Sequence, residues 1–314
     1  MISRHHLRAK ILQALYAYEQ SEVKNLEIGW SNLKDLLDDF GRNYALMVMA
    51  LRDTSEMSID YSHELANKLL SENRIFENDN FSRNYFIETL GKNDEFQRFL
   101  KKQRWVNTTL IEPGVARRWF MAFREQTPEY TEYSNIHTEP ARAKEAELLM
   151  YLLVNIIVQD EQLDPIMEDL SISWQADKDE VVTTLAKQFQ KGVEGRNDFK
   201  NFTFIKADDL TFAKRLFEAT AINLSRYVQD VKSVTPNWDP ERIGTVDLMI
   251  IAQCLEEILN FEDIPVRVSL NEYIELSKHY GTPKSKDFVN GVLDRLVKRY
   301  TEENKIVKTG RGLV

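Results

Sequence analysis

Residues 245–300 read TVDLMI IAQCLEEILN FEDIPVRVSL NEYIELSKHY GTPKSKDFVN GVLDRLVKRY, and this stretch decides the fold class. Apolar residues recur three and four positions apart near both of its ends, which is the spacing of a helix with one buried face. Between them, Pro265 can open a helix that Gly281 and Pro283 close, and Ser285 is placed to cap the next one. The stretch therefore predicts three consecutive helices. The apolar positions of the first and last are Val246, Ile250, Ile251, Cys254, Leu255 and Ile258, then Phe288, Val289, Val292, Leu293, Leu296 and Val297.

The rest of the chain has the same helical character. Its 314 residues include 11 glycines and 8 prolines, a composition that favours helices over a turn-rich sheet protein. Helical spacing predicts further helices at about 30–70, 94–102, 113–124, 142–158, 177–191 and 208–231, with a loop at 128–140. Asp239 is predicted to cap the helix that Pro240 begins. We therefore expect an all-α protein.

The first eighteen residues, MISRHHLRAKILQALYAY, have a local charge opposite to that of the whole chain. They contain Arg4, Arg8, Lys10 and two histidines but no acid, whereas the chain has a formal net charge of −9. On a helix, Arg4 and Arg8 share one face. A separate apolar stripe consists of Leu7, Ile11, Ala14, Leu15 and Tyr18. A basic helix in an acidic protein indicates a confined site for a polyanion rather than a broadly basic surface.

The sequence gives little support to catalysis or metal binding. The single cysteine, Cys254, excludes an internal disulfide and a cysteine-clustered zinc site, and it is interpreted as a core residue. His5 and His6 are adjacent, so on a helix they diverge and cannot ligate one metal from the same face. The segment GTPKS at 281–285 lacks the upstream glycine of a phosphate loop. We expect no enzyme activity, no cofactor and no metal site.

The chain shows no sign of membrane insertion or export. Its longest apolar run, residues 148–158, is too short to span a bilayer and is better interpreted as a buried helix. The basic amino terminus lacks a small-residue cleavage site, and Gln13 and Tyr16 interrupt its apolar region. A cytoplasmic protein without membrane contact is expected.

Three aromatic residues could serve a nucleic-acid site together with the basic helix. Tyr16, Tyr280 and Phe288 offer flat faces for unstacked bases if they converge, and base stacking contributes about 1–3 kcal/mol per base. The alternatives remain open from the residues alone. The arginines could form a solvated helix start, and Tyr16 and Phe288 could pack in the core.

Several separated motifs occur in one order along the chain. The first are Arg4-His5-His6-Leu7-Arg8 and Gln13-Ala14-Leu15-Tyr16. The later ones are Trp238, Arg242-Ile243, Val246-Asp247, IPVRVSLNEYIELSK at 264–278, Tyr280-Gly281, Ser285 and FVNGVLD at 288–294. This ordered set resembles the transcription antitermination factor NusB family. The resemblance covers residues 3–18 and 208–298.

The resemblance implies an all-helical RNA-binding module that pairs with ribosomal protein S ten, or NusE, on the boxA element of nascent RNA. Other antitermination factors and RNA polymerase would be indirect partners. Arg4 and Arg8 would contact phosphates, while His5 and His6 stand where arginines are common, which implies pH-dependent affinity. Lys284 lies where other members can carry an acid. The implied RNA-binding residues are Arg4, His5, His6, Arg8, Lys10, Tyr16, Tyr280, Lys284 and Phe288, with Asp247 on the RNA or partner surface.

The resemblance also divides the chain. Residues 1–29 would form the first helix of a NusB-like helical bundle, 206–300 its C-terminal part, and 301–314 a basic, mobile tail. Residues 30–205 would be a large helical insertion, serving as a lid, a partner surface or a stabilising subdomain. Its many aromatic residues favour a partner surface. Two other functions stay open: a protein–protein scaffold without RNA binding, and an accessory module of an RNA-modifying system.

Overall fold

The protein is all-α in a computed structural model that describes residues 2–67, 79–103, 111–134, 141–195, 204–236 and 243–309. Within those ranges there are thirteen α-helices and no strand, so the predicted all-α fold class is confirmed. The helices are α1 (Arg4–Gln20), α2 (Leu26–Asn67), α3 (Tyr85–Gly91), α4 (Asp94–Gln103), α5 (Pro113–Gln126), α6 (Pro128–Ser134), α7 (Arg142–Tyr151), α8 (Leu163–Leu170), α9 (Trp174–Val193), α10 (Ala207–Val234), α11 (Thr245–Asn260), α12 (Val266–Tyr280) and α13 (Ser285–Glu302).

The helices form two compact units. We call residues 2–37 with 205–314 the bundle unit, and residues 38–204 the insertion unit. The boundary near residue 38 falls inside the long helix α2, eight residues after the predicted start of the insertion. The predicted insertion at 30–205 stays a prediction, and the sequence did not predict that a continuous helix would cross this boundary.

Helix α11 is the centre of the bundle unit. It packs against α1, α10, α12 and α13, and every residue from Met249 to Ile258 is buried. An apolar helix face was predicted here, yet polar Gln253, Glu256 and Glu257 are buried as well. Buried carboxylates need partners because desolvation strongly disfavours an isolated charge. Glu256 accepts a 2.8 Å hydrogen bond from the Tyr227 hydroxyl of α10.

Helix α1 begins at Arg4, with Ser3 as its N-cap. The Ser3 side chain accepts a hydrogen bond from the His6 backbone N–H, which satisfies one of the free donors at the helix start. Leu7, Ile11 and Leu15 of the predicted apolar stripe are almost fully buried. Burial of each such side chain contributes about 1.5–3 kcal/mol, so packing holds this helix on the bundle unit.

The described part of the C-terminal tail is attached to the bundle unit. After α13, Asn304 adopts a positive φ of 55°, which turns the chain back. The Lys308 ammonium donates to the Phe261 carbonyl over 2.8 Å, and the Thr309 N–H donates to the Glu262 carbonyl over 3.1 Å. The predicted mobile tail is thus hydrogen-bonded as far as residue 309.

The insertion unit has an aromatic core of its own. Phe81 stacks on Phe123 with ring centroids 5.0 Å apart, and the Trp174 indole N–H donates to Asp164 over 2.8 Å. The aromatic residues of this unit that are almost completely buried include Phe81, Phe86, Trp119, Phe120, Phe123, Tyr130, Tyr133 and Trp174. These side chains stabilise the unit itself. Because they are buried, the number of aromatic residues in this unit is not evidence for a partner surface.

Several elements differ from the sequence predictions. Helix α6 occupies the start of the predicted loop at 128–140, and the short helices α3 and α8 were not predicted. The predicted helix at 142–158 is α7 followed by a π-helical turn, Leu152–Ile157. The predicted cap Asp239, with Pro240, lies outside the described residues, but α11 begins at Thr245 after Gly244 and not at Pro240. Short helices depend on tertiary packing more than on their own sequence pattern, which explains why they were missed.

The two units differ sharply in charge. Residues 38–204 contain 20 of the 41 lysines and arginines and 29 of the 50 acids, so this range carries the entire net charge of −9. In the rest of the chain, the numbers of basic and acidic side chains are equal, so those residues carry no net charge. No helix in the described ranges is long and apolar enough to cross a membrane.

Candidate nucleic-acid interface

The amino-terminal end of α1 contacts α10 and α12 in the bundle unit. The Arg4 Nε donates to Asp209 Oδ1 over 2.9 Å, and its guanidinium carbon lies 4.4 Å from the centroid of the Phe212 ring. The Arg4 side chain is nevertheless 44% exposed. Arg4 is therefore partly neutralised by a carboxylate but accessible to a ligand.

Arg8, by contrast, is a core residue with only 2% of its surface exposed. Its Nε and one terminal nitrogen each donate to a Glu257 oxygen over 2.8 Å, and its other terminal nitrogen donates to the Arg4 carbonyl over 3.1 Å. Glu257 also accepts hydrogen bonds from the Ser269 hydroxyl at 2.6 Å and the Tyr273 hydroxyl at 3.1 Å. This network joins α1, α11 and α12.

The network removes Arg8 from the surface. Burial by itself would lower the pKa of Arg8, but the hydrogen bonds and charge of Glu257 outweigh it and raise that pKa. The guanidinium is permanently charged and fully engaged with a buried carboxylate. The structure thus places Arg8 as a structural residue of the core and does not support the predicted phosphate contact.

His6 and Lys10 also face the interior. His6 is 7% exposed and Lys10 is not exposed at all. Both lie on the side of α1 that packs on the bundle unit, which explains their burial. The prediction that they contact RNA does not agree with this placement.

His5 lies at the edge of the site and contacts α12. Its Nδ1 is 2.8 Å from Glu272 Oε2, and the same carboxylate oxygen is 3.6 Å from an Arg8 nitrogen. The hydrogen bond with His5 lowers the pKa of Glu272, burial acts in the opposite direction, and the Arg8 charge adds to the lowering. His5 remains partly exposed, but a carboxylate already occupies one of its ring nitrogens.

Of the predicted aromatic residues, Tyr280 lies where α1 passes the end of α12. The Gln13 side-chain amide donates to the Tyr280 hydroxyl over 3.3 Å. Tyr16 follows Gln13 by three residues, so the two share a helix face, and Tyr16 is 44% exposed. Tyr16 is therefore not a core residue. Tyr280 and Phe288 are each partly buried.

The turn between α12 and α13 carries the remaining predicted residues. Lys284 is exposed there, whereas Asp247 of α11 is 8% exposed. The Ser285 hydroxyl donates to Asp247 Oδ2 over 2.9 Å and accepts from the Thr282 N–H over 2.8 Å. Burial raises the pKa of Asp247, and the Ser285 hydrogen bond opposes that shift. The prediction that Ser285 caps α13 is wrong, because its side chain joins the turn to α11 instead.

Comparison with known proteins supports the relationship that the motifs indicate. The model of the NusB family matches residues 183–298. A transcription antitermination protein NusB of Clostridium botulinum, strain Loch Maree, is 31% identical over 156 residues, which is 50% of this chain and 99% of that protein. The chain belongs to the NusB family.

Other relatives agree with this membership in the NusB family. The NusB of Salinibacter ruber is 36% identical over 103 residues, which cover 33% of this chain and 64% of that protein, just under two thirds of its length. The NusB of Clostridium botulinum strain Kyoto is 32% identical over 156 residues. No solved structure matches the chain. Membership in the NusB family supports a role in transcription antitermination.

Several residues of this NusB-family site were missed by sequence reasoning. Glu257 lies within the apolar face of α11, and a carboxylate in such a place signals a buried partner. Its partner, Arg8, is 249 positions away, so spacing could not identify it. Asp209 gave no signal of this kind, whereas Ser285 was named in the sequence motifs but was assigned a capping role that the structure does not show.

Cys254 is fully buried in α11, and burial raises the pKa of its thiol well above the ordinary value, which disfavours a nucleophilic thiolate. Among the described residues there is no group of three or more His, Cys, Asp or Glu side chains that could hold a metal.

Proposed function

We propose that this chain acts in transcription antitermination by binding boxA-type single-stranded RNA together with the ribosomal protein NusE. Other antitermination factors and RNA polymerase would be reached indirectly through that complex. Such a role would be carried out in the cytoplasm, without an enzyme activity or a cofactor. Family membership and the ordered motifs support the proposal.

The contact between Gln13 and Tyr280 is the observation that supports this function most directly. It brings the exposed Tyr16 face of α1 next to the end of α12, where the chain turns into α13. We call Tyr16, Tyr280, Lys284 and Phe288 the aromatic–lysine surface. Aromatic rings beside an exposed cation are what proteins use to bind single strands, because every base can stack and every phosphate is negative.

The proposed RNA path differs from the one that the sequence predicts. Arg8, His6 and Lys10 are excluded by burial, which leaves Arg4 and His5 as the accessible cationic positions at the start of α1. Tyr16 lies twelve residues after Arg4, or about 18 Å along the helix axis. RNA that reaches both residues would have to run along α1.

Titration of a boxA oligonucleotide with the full chain, with and without NusE, tests this function. We expect Tyr16→Ala to weaken binding by about 1–3 kcal/mol, since one stacking face is lost. Lys284→Ala should reduce the slope of log affinity against log salt by about 0.7, the value for one phosphate contact on a single strand.

Lys101→Ala is the matched control, because Lys101 is an exposed helical lysine in the insertion unit. It should leave both affinity and salt slope unchanged. A scrambled oligonucleotide of the same length measures non-specific binding. If Tyr16→Ala and Lys284→Ala both bind like the wild type, the aromatic–lysine surface is not the RNA site.

A protein–protein scaffold without RNA binding is the second candidate. It is favoured by the carboxylates that already pair with the basic residues of α1: Asp209 with Arg4, Glu257 with Arg8, and Glu272 with His5. Binding of NusE with no detectable affinity for the oligonucleotide, in either the presence or the absence of NusE, would support this alternative.

A further inference from the structure

We propose that Ser285 and Asp247 form a latch that positions the turn between α12 and α13, and that this latch sets the affinity of the aromatic–lysine surface. The effect on RNA affinity rests on the proposed function, because it can be measured only if the protein binds RNA. It assigns Asp247 a positioning role in place of direct contact with RNA or a partner. It also adds Ser285 as a positioning residue.

The contacts of the Ser285 hydroxyl define the latch. It donates to Asp247 Oδ2 of α11 over 2.9 Å, accepts from the Thr282 N–H over 2.8 Å, and lies 3.1 Å from the Thr282 hydroxyl. Ser285 is 1% exposed. One buried hydroxyl thus ties the middle of the turn to the first turn of the central helix.

The packing of Gly281 shows how closely this turn is held. A Cβ at Gly281 would lie 2.4 Å from Ser285 Cβ and 2.6 Å from the Ser277 carbonyl oxygen, both closer than real Cβ contacts. The Gly281 N–H also closes α12 by donating to that carbonyl over 3.1 Å. The turn therefore approaches α13 at a distance that only glycine permits.

Asp247 is placed to receive the latch and not to meet a ligand. It is 8% exposed, and it sits in the first turn of α11, where the helix dipole favours a negative charge. A hydrogen bond to an ionised acceptor is stronger than one between neutral groups. The Asp247 carboxylate therefore holds the Ser285 hydroxyl more firmly than a neutral acceptor would.

The latch lies between two residues of the aromatic–lysine surface. Tyr280 is the last residue of α12 and Lys284 is the residue that precedes α13, so both flank the segment that Ser285 holds. Tyr280 is bound from the other side by Gln13. Releasing the latch would let the backbone between Tyr280 and Lys284 move, while the helices themselves stay folded.

Substitutions at both partners separate a positioning role from a contact role. Ser285→Ala removes the hydroxyl but no group that could face RNA. We expect it to weaken boxA binding about tenfold, the effect of losing one hydrogen bond to a charged group. Asp247→Asn keeps an acceptor oxygen but loses the charge, so it should weaken binding less than Ser285→Ala does, whereas Asp247→Ala should resemble Ser285→Ala. The double variant Asp247→Ala/Ser285→Ala should be no weaker than either single variant.

Amide hydrogen exchange at Thr282 provides a readout that does not need RNA. The Thr282 N–H donates to the Ser285 hydroxyl, so its exchange should accelerate about tenfold in Ser285→Ala. Ser277→Ala is the matched control. It removes another buried hydroxyl, one that donates to the Ile274 carbonyl within α12, and should leave Thr282 exchange unchanged.

Each outcome gives a decision. If Thr282 exchange does not change in Ser285→Ala, the latch is wrong. If Thr282 exchange accelerates but boxA affinity does not change, the latch does not control the RNA surface. If Asp247→Asn loses binding while Ser285→Ala does not, Asp247 is a contact residue. If wild-type protein binds no RNA, the proposed function fails, and exchange at Thr282 alone decides whether the latch exists.

Discussion

Arg8 and Glu257 show how one residue pair can change the interpretation of a basic helix. Both side chains are almost completely buried, and each Glu257 oxygen receives a guanidinium nitrogen and a hydroxyl. Replacing one member of such a pair leaves the other as an isolated charge in the interior, which is far more costly than losing a surface ion pair.

Arg8→Met is expected to lower the free energy of unfolding by about 3–5 kcal/mol, because the Glu257 carboxylate would stay buried without its cation. Urea unfolding followed by circular dichroism measures the change. Arg4→Met is the matched control, and it should cost no more than about 1 kcal/mol because Arg4 and Asp209 are partly exposed. Equal losses in the two variants would contradict the structural role of Arg8.

Glu272 gives the site a defined response to acid. Its pKa is lower in the folded protein than the ordinary glutamate value, chiefly because of the His5 hydrogen bond. The group therefore adds stability above its unfolded pKa of about 4.3, and that stability is lost as the pH falls through the folded pKa. Wild-type protein should melt at a higher temperature than Glu272→Gln at pH 6, and the difference should shrink as the pH falls below the unfolded pKa.

Thermal melts of Glu22→Gln over the same pH range provide the comparison. Glu22 is exposed in the connection between α1 and α2, so its substitution should have little effect at either pH. A difference between wild type and Glu272→Gln that persists unchanged at pH 3 would show that the carboxylate charge is not responsible.

At the scale of elements, the connection between α12 and α13 is the most constrained part of the candidate site. Two glycines of this region have opposite surroundings. Gly281 closes α12 against Ser285, whereas a Cβ added at Gly291, within α13, would meet no neighbouring atom inside 4 Å. They form a matched pair for substitution by alanine.

Gly281→Ala is expected to destabilise the protein by about 1–3 kcal/mol, because the added methyl forces backbone and Ser285 apart. Gly291→Ala should stabilise it by about 0.5–1 kcal/mol, the gain from replacing glycine in a helix interior. Thermal unfolding of both variants shows whether each substitution lowers or raises the stability of the protein. A stabilising Gly281→Ala would mean that the turn is looser than described.

The elements also show what periodicity can and cannot predict. Helices α10, α11 and α13 were predictable because their apolar residues recur at helical spacing, and α12 was predictable from Pro265 and Gly281 at its two ends. The site was only partly predictable. Tyr16 and Tyr280 were identified from the family motifs, but the burial of Arg8 and Lys10 depends on contacts with distant helices. Sequence spacing carries no information on such contacts.

At the scale of the whole molecule, the two units differ in net charge and in aromatic packing. Residues 38–204 carry the net charge of −9 and have their own aromatic core. An acidic surface is a poor lid for RNA, since phosphates are repelled by carboxylates. A self-supporting subdomain therefore agrees better with this unit than the predicted partner surface did.

Because the two units have separate cores, we expect a core substitution to reduce the protection of backbone amides from hydrogen exchange mainly in its own unit. In full-length protein, Phe123→Ala should accelerate amide exchange mainly in the insertion unit, at a cost of about 3–5 kcal/mol to that unit. Arg8→Met should accelerate exchange mainly in the bundle unit. Hydrogen exchange followed by mass spectrometry resolves the segments. Uniform acceleration along the chain in both variants would show a single cooperative unit.

The bundle unit is assembled from two segments that are far apart in the sequence, residues 2–37 and residues 205–314. During translation at about 5–20 residues per second, the intervening residues 38–204 take roughly 8–33 seconds to synthesise. For that time the apolar stripe of α1 has no α11 to cover it. The nascent chain thus exposes Leu7, Ile11 and Leu15 until α11 has been synthesised.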